Sequence, residues 1–266
     1  MIEPLPSTNT STTPVAQPSA RNILAIASGK GGVGKTFMSI TLCQALARMG
    51  KSVLLFDGDL GLANVDIQLG LMPERDLGAV FEGKCNLQSA ITKYDDGGFS
   101  ILAGRSGSGT LGTLSTQRLN DLRSHLLDVA KNFDTVILDL GAGVDRTVRQ
   151  LAGPARTTLV VVTDEPTSIT DGYAFIKLAV QLNPNADIRV IVNMAPTLSE
   201  GEKTYETIRK ACQTFLNYSP TLAGIVRRDP KVREAIRAQT PILLRSPTSD
   251  AALDVEALAA RLYDTL

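Results

Sequence analysis

What most limits the fold of this chain is the recurrence of short, unbroken apolar runs separated by stretches of helical period. The runs are ILAIA (23–27), SVLLF (52–56), FSILA (99–103), TVILDL (135–140), TLVVVTD (158–164), IRVIVN (188–193) and LAGIV (222–226). Strands without polar alternation are buried on both faces, the mark of a parallel sheet covered by helices on each side. A helix from Lys35 carries Met38, Leu42, Ala45, Leu46 and Met49 on one face and ends at Gly50. Leu119, Leu122, Leu126 and Val129 mark another over 115–131, and further helical periods occupy 170–182 and 199–214. The expected fold class is therefore α/β: a mostly parallel twisted sheet with helices on both faces. Neither a repeat nor a linker interrupts 23–266, which is expected to be a single domain. Residues 1–22 are rich in Pro, Ser and Thr, show no period and are expected to form a disordered tail.

The first run leads into SGKGGVGKT (28–36). Gly29, Gly34, Lys35 and Thr36 satisfy the phosphate-loop pattern G-x-x-x-x-G-K-[ST], and the flanking strand and helix supply the context that a chance match lacks. Glycines at 29, 31, 32 and 34 let the backbone wrap closely and turn its N–H groups toward phosphate oxygens, while the helix N-terminus adds partial positive charge. Lys35 is placed to neutralise β- and γ-phosphate charge, and the Thr36 hydroxyl to ligate Mg²⁺. Lys30 is surplus to the pattern.

Two more runs end in carboxylates. LLFDGDLGLANVD puts Asp57 and Asp59 at the C-terminal end of a strand, where open α/β sheets hold their ligands. Side chains two residues apart on an extended chain share a face, so this pair suits a metal–water shell or an attacking water. FDTVILDLGAG ends in Asp139, followed by Gly141 and Gly143. A carboxylate in that place binds Mg²⁺, usually through water, and the glycines permit movement as a γ-phosphate comes and goes. Thr36, Asp57 and Asp139 are the candidate metal residues.

Composition narrows the alternatives. The 27 basic and 27 acidic residues cancel, so no global field draws the chain to nucleic acid or anionic lipid. One histidine, His125, and three scattered cysteines, Cys43, Cys85 and Cys212, argue against a histidine-rich metal site, a Ser-His-Asp centre and a C-x-x-C ligand set. His125 is expected at the surface and Cys43 in the core. Free thiols, with neither a run of transmembrane length nor a signal-peptide pattern, make the cytoplasm the expected location.

KGGVGKT, DGDLGLANVD and ILDLGAG together resemble the MinD/ParA group of deviant-Walker-A P-loop ATPases, a SIMIBI-like fold, over nearly the whole chain from about residue 22. The resemblance implies ATP and Mg²⁺ as cofactors and a slow, Mg²⁺-dependent ATP hydrolase coupled to an ATP-dependent homodimer. It implies that Lys30 reaches the partner's phosphates, much as an arginine finger does in trans. Asp59 is implied to position the attacking water and Asp57 to stand in the Mg²⁺ shell, so Lys30, Lys35 and Asp59 are the catalytic set. The nucleotide-binding set is Gly29, Lys30, Gly31, Gly32, Val33, Gly34, Lys35, Thr36 and Phe37, with Asn193 at the adenine edge. An amide that both donates and accepts suits that edge; a plain turn Asn before MAP is the alternative. The GIVRRDP loop (224–230) is implied to close over the base.

Within the group, DEPTSITDGYAFIKL (164–178), DLGLANVDIQLGL (59–71) and VREAIRAQTPIL (232–243) resemble the flagellar-number regulators of the FlhG/FleN type. This implies a switch controlling the number or placement of flagella through a regulatory protein partner, which would recruit it to a cell pole. The alternative is a positioning ATPase for the septum, chemoreceptors, another polar organelle or DNA partition. There are departures too. Arg227 replaces the proline usual after GIV. The end of the chain, SDAALDVEALAARLYDTL (249–266), carries Asp250, Asp254, Glu256 and Asp264 against Arg261, and anionic headgroups repel such a helix. Its apolar face (Leu253, Ala257, Leu258, Leu262) is expected to dock on its own domain, so membrane contact is not expected. RRDPKVREAIR (227–237), diluted by Asp229 and Glu234, is read as a solvated helix face, with contact to DNA phosphates as the alternative.

Overall fold

The computed structural model describes residues 20–104 and 114–264; positions 1–19 of the expected tail lie outside them. In chain order the elements are β1 (Ala20–Ser28), α1 (Lys35–Arg48), β2 (Val53–Gly58), α2 (Val65–Leu69), α3 (Leu77–Phe81), β3 (Thr92–Tyr94), β4 (Phe99–Leu102), α4 (Thr116–Ala130) and β5 (Thr135–Ala142). There follow α5 (Arg146–Ala152), β6 (Ala155–Val162), α6 (Pro166–Leu182), β7 (Asp187–Ala195), α7 (Leu198–Leu216), β8 (Thr221–Arg227), α8 (Pro230–Arg237), α9 (Ile242–Arg245) and α10 (Asp250–Tyr263). The eight strands form one sheet in the order β3-β4-β2-β5-β1-β6-β7-β8. Every neighbouring pair is parallel except the antiparallel β3–β4 at one edge. The expected fold class is the one observed. β1 starts ahead of Ile23, with Ala20 paired to Ala155 of β6.

Alternation along the central strand sorts the core into two layers. Leu24 and Ile26 pack with α1 and α10, while Ile23, Ala25 and Ala27 pack with α4, α6 and α7. Because α10 covers the side of α1 turned from the sheet, α1 is buried all round from Phe37 to Leu46, and its expected stripe stops short of the exposed Met49. The apolar face of α10 is also rotated from the expected one: Ala251, Val255, Leu258 and Leu262 are buried and Leu253 is exposed. Its acids are turned to the chain's own arginines. Asp254 and Asp250 meet Arg227, and Glu256 meets Arg48. Docking of this helix on its own domain is thus what the structure shows. Cys43 is buried and His125 exposed, as expected. None of the described helices is long and apolar enough to cross a membrane.

Candidate nucleotide-binding and hydrolysis site

The glycine-rich loop joins the central strand to α1, at the C-terminal ends of the parallel strands. The Ser28 hydroxyl donates to the Lys30 carbonyl oxygen at 2.6 Å and tightens the entry. Gly34, with φ +92°, forms the N-cap of α1 and offers no side chain to its first N–H groups. By contrast α3, α4, α5, α7, α8 and α10 are capped by Asp76, Ser115, Asp145, Thr197, Asp229 and Ser249. Helix N-termini left open in this way attract anions, which fits a nucleotide phosphate. A Cβ on Gly29 would lie 2.1 Å from the carbonyl oxygen of Asp171 in α6, and one on Gly34 would lie 2.4 Å from Asn193 Nδ2. The loop is therefore clamped against α6 on one side and against the end of β7 on the other.

Asn193 is 3% exposed, and its Nδ2 donates to the Val33 carbonyl oxygen at 2.8 Å. It supports the loop from beneath, and its amide oxygen meets no donor among the described residues. Val33 and Phe37 bury their side chains in the core, which leaves only their backbone to the loop surface.

Behind the loop the carboxylates converge. Asp57 and Asp139 are register partners on the adjacent strands β2 and β5. Asp139 is 2% exposed and accepts from the Ser39 hydroxyl at 2.9 Å, with the Thr36 hydroxyl beside it. Burial pushes it up to about 6, against those two hydroxyls and the Lys35 ammonium, which favour the charged form. Lys35, 9% exposed, is lowered by its own burial and held up by Asp139 and Asp59. Asp57 is fully buried, its Oδ1 accepts from the Asp59 N–H at 3.2 Å, and its Oδ2 accepts from the Asn64 and Val65 N–H groups at 3.1 Å each. Burial first, and the neighbouring Asp139 second, push Asp57 up to about 8. It anchors the segment that carries Asp59 and opens α2. Asp59 is half-buried, accepts from the Leu62 N–H at 3.0 Å and lies against Gly141.

Lys30 stands outside this cluster. Its Nζ lies 2.5 Å from Glu165 Oε2 and 3.0 Å from Thr167 Oγ1, at the N-terminus of α6, and all of these groups are open to solvent. The Lys30 hydrogen bond and charge hold Glu165 below the usual carboxylate range.

A family model described as the CobQ/CobB/MinD/ParA nucleotide binding domain matches residues 24–242. The chain belongs to the CobQ/CobB/MinD/ParA family. Among its relatives, the antiactivator FleN of Pseudomonas aeruginosa is 38% identical over 90% of this chain and 85% of its own length. The flagellum site-determining protein YlxH of Helicobacter pylori is 31% identical over 85% of this chain and 79% of its own. The septum site-determining protein MinD of Pyrococcus horikoshii, solved with Mg-ADP, superposes with a TM-score of 0.76 at 23% identity, covering 91% of this chain and 96% of that one.

Two features of this MinD/ParA-family site were not singled out from the sequence. Ser39, at i+3 from Thr36 on α1, was legible from helical spacing alone. Glu165 and Thr167 as the holders of Lys30 were not, because their meeting depends on how α6 lies beside the loop. The departure at Arg227 also has its counterpart in the structure. Its N–H and Nε both donate to Asp254 Oδ2 at 2.9 Å, and its Nη1 lies 2.7 Å from Asp250. The GIVRRDP loop is tied to α10, and the rest of the basic run, on α8, is solvent-facing.

Proposed function

We propose that this chain is an ATP-dependent switch in which two copies close face to face over ATP and slow hydrolysis separates them, controlling the number or placement of flagella through a regulatory protein partner. The observation that carries the reading is Lys30. A second cation beside a complete phosphate loop, held by two solvent-exposed side chains of its own chain, is free to exchange them for the phosphates of a partner. That exchange makes dimerisation depend on ATP and hydrolysis depend on the dimer.

The residues present fit the cofactors. The uncapped start of α1 and the loop N–H groups suit the phosphates, with Lys35 against their charge. Thr36 and Asp139 would hold Mg²⁺, which when bound offsets phosphate charge. Asp59 would orient the attacking water. Asp57 would act one step back, holding the Asp59 segment in place through its three backbone hydrogen bonds. Asn193 would keep Nδ2 on the loop and present its amide oxygen to the adenine edge, with the Arg227-anchored loop over the base. FleN and YlxH, an antiactivator and a flagellum site-determining protein by name, favour the flagellar reading over other cargoes.

Light scattering with and without ATP tests the switch. Wild type should dimerise with ATP, and Lys30→Ala should bind nucleotide as a monomer. An ATP dimer of Lys30→Ala as strong as that of wild type would remove Lys30 from the interface. Counting flagella per cell after gene deletion tests the cargo. Altered number or position, restored by wild type and not by Lys35→Ala, is the expected result; unchanged flagella would move the switch to another cargo.

A further inference from the structure

Thr36 and Ser39 are three residues apart on α1, so their hydroxyls share the helix face turned to β5. Both stand beside Asp139, but they are differently placed. Ser39 is fully buried, with Oγ 2.9 Å from Asp139 Oδ1 and 3.0 Å from the Lys35 carbonyl oxygen. Thr36 stands half-exposed beside the loop, its hydroxyl near enough to favour the charged form of the same carboxylate. One hydroxyl proton serves one acceptor well, and a bond to a carboxylate is the stronger of the two open to Ser39. Thr36 can turn toward a cation at the phosphates; Ser39, enclosed behind it, cannot.

We propose that Ser39 is a positioning residue for Asp139, holding its carboxylate in place while the Thr36 hydroxyl serves Mg²⁺. Hydrogen-bond partners of this kind orient metal-binding groups, and their loss typically costs 10- to 100-fold in metal affinity. This inference rests on the assignment of Thr36 and Asp139 to Mg²⁺, and the test separates the two.

Binding of a fluorescent ADP to the full chain is titrated with MgCl₂ and repeated in EDTA. Ser39→Ala should raise the Mg²⁺ concentration for half-maximal effect by roughly tenfold or more, leave the affinity in EDTA within about twofold, and be restored by Ser39→Thr. A midpoint within about twofold of wild type would overturn the proposal. So would an equal loss in EDTA, which marks a general weakening of the loop, or a Ser39→Thr chain that behaves like Ser39→Ala. Asp139→Ala serves as the reference. If it needs no more Mg²⁺ than wild type, the metal assignment and the role of Ser39 fall together. If it shifts and Ser39→Ala does not, only Ser39 is displaced.

Discussion

Replacing Asn193 by Ala separates a residue that holds the loop from one that only meets a base. In the unliganded chain, its Nδ2 satisfies the Val33 carbonyl oxygen at 2.8 Å from a position only 3% exposed. Truncation leaves that acceptor buried without its donor, at a cost of about 1–3 kcal/mol, or roughly 5- to 150-fold in the folding equilibrium. In a chain of this size, each kcal/mol lowers the melting temperature by about 2–4 °C, so a fall of roughly 2–12 °C is expected without any nucleotide. Asn193→Asp isolates the donor, because it keeps an acceptor and loses the N–H. It should be destabilised as well, yet retain more preference for adenine over guanine than Asn193→Ala. The assay is thermal unfolding of the nucleotide-free chain, followed by ATP and GTP competition. An unchanged melting temperature in Asn193→Ala, with weakened ATP binding, would refute the supporting role and return Asn193 to the base alone.

Asp59→Ala should bind ATP, hydrolyse it far more slowly and accumulate as dimer in light scattering; wild-type turnover would take Asp59 out of the mechanism. Glu165→Gln frees Lys30 in the single chain, so dimerisation should need less ATP than in wild type, and a higher ATP requirement would show that Glu165 serves the dimer instead. For Asp57 the sign follows from a folded value of about 8 against an ordinary 3.8. The fold opposes its ionisation, so its contribution to stability is full below about pH 4 and is lost as pH rises through about 8. Asp57→Asn cannot ionise, so its unfolding midpoint relative to wild type should climb from pH 5 to pH 8 and then level. A flat difference across that range would contradict the burial argument.

How much of this was legible in advance depended on the length of the signal. The long apolar runs showed most of the sheet, because several buried β-branched residues in a row have few other uses. Thr92–Tyr94 and Val65–Leu69 escaped notice, since three to five residues hold barely one period. The site divided in the same way. Gly29 to Thr36 were recognisable because the loop is local, and Asp59 and Asp139 because each closely follows an apolar run. The support of Val33 by Asn193 spans 160 positions and the contact of Lys30 with Glu165 spans 135, and no local pattern records which distant elements become neighbours. Strand alternation gives the side of the sheet, not the depth, and depth was set by α2 folding its N–H groups onto the Asp57 carboxylate.

Placing β1 between β5 and β6 has a consequence for the newborn polypeptide. A ribosome that has released Lys35, Asp57 and Asp59 has made most of the recognisable motifs and none of their surroundings. Asp139 comes a hundred residues after Ser39, the α6 wall behind Gly29 later still, and the amide beneath Val33 only with Asn193. Strand pairings of such separation form late. ATP is therefore a ligand of a chain already made at least as far as Asn193, and a shorter nascent chain lacks the surroundings that would hold it.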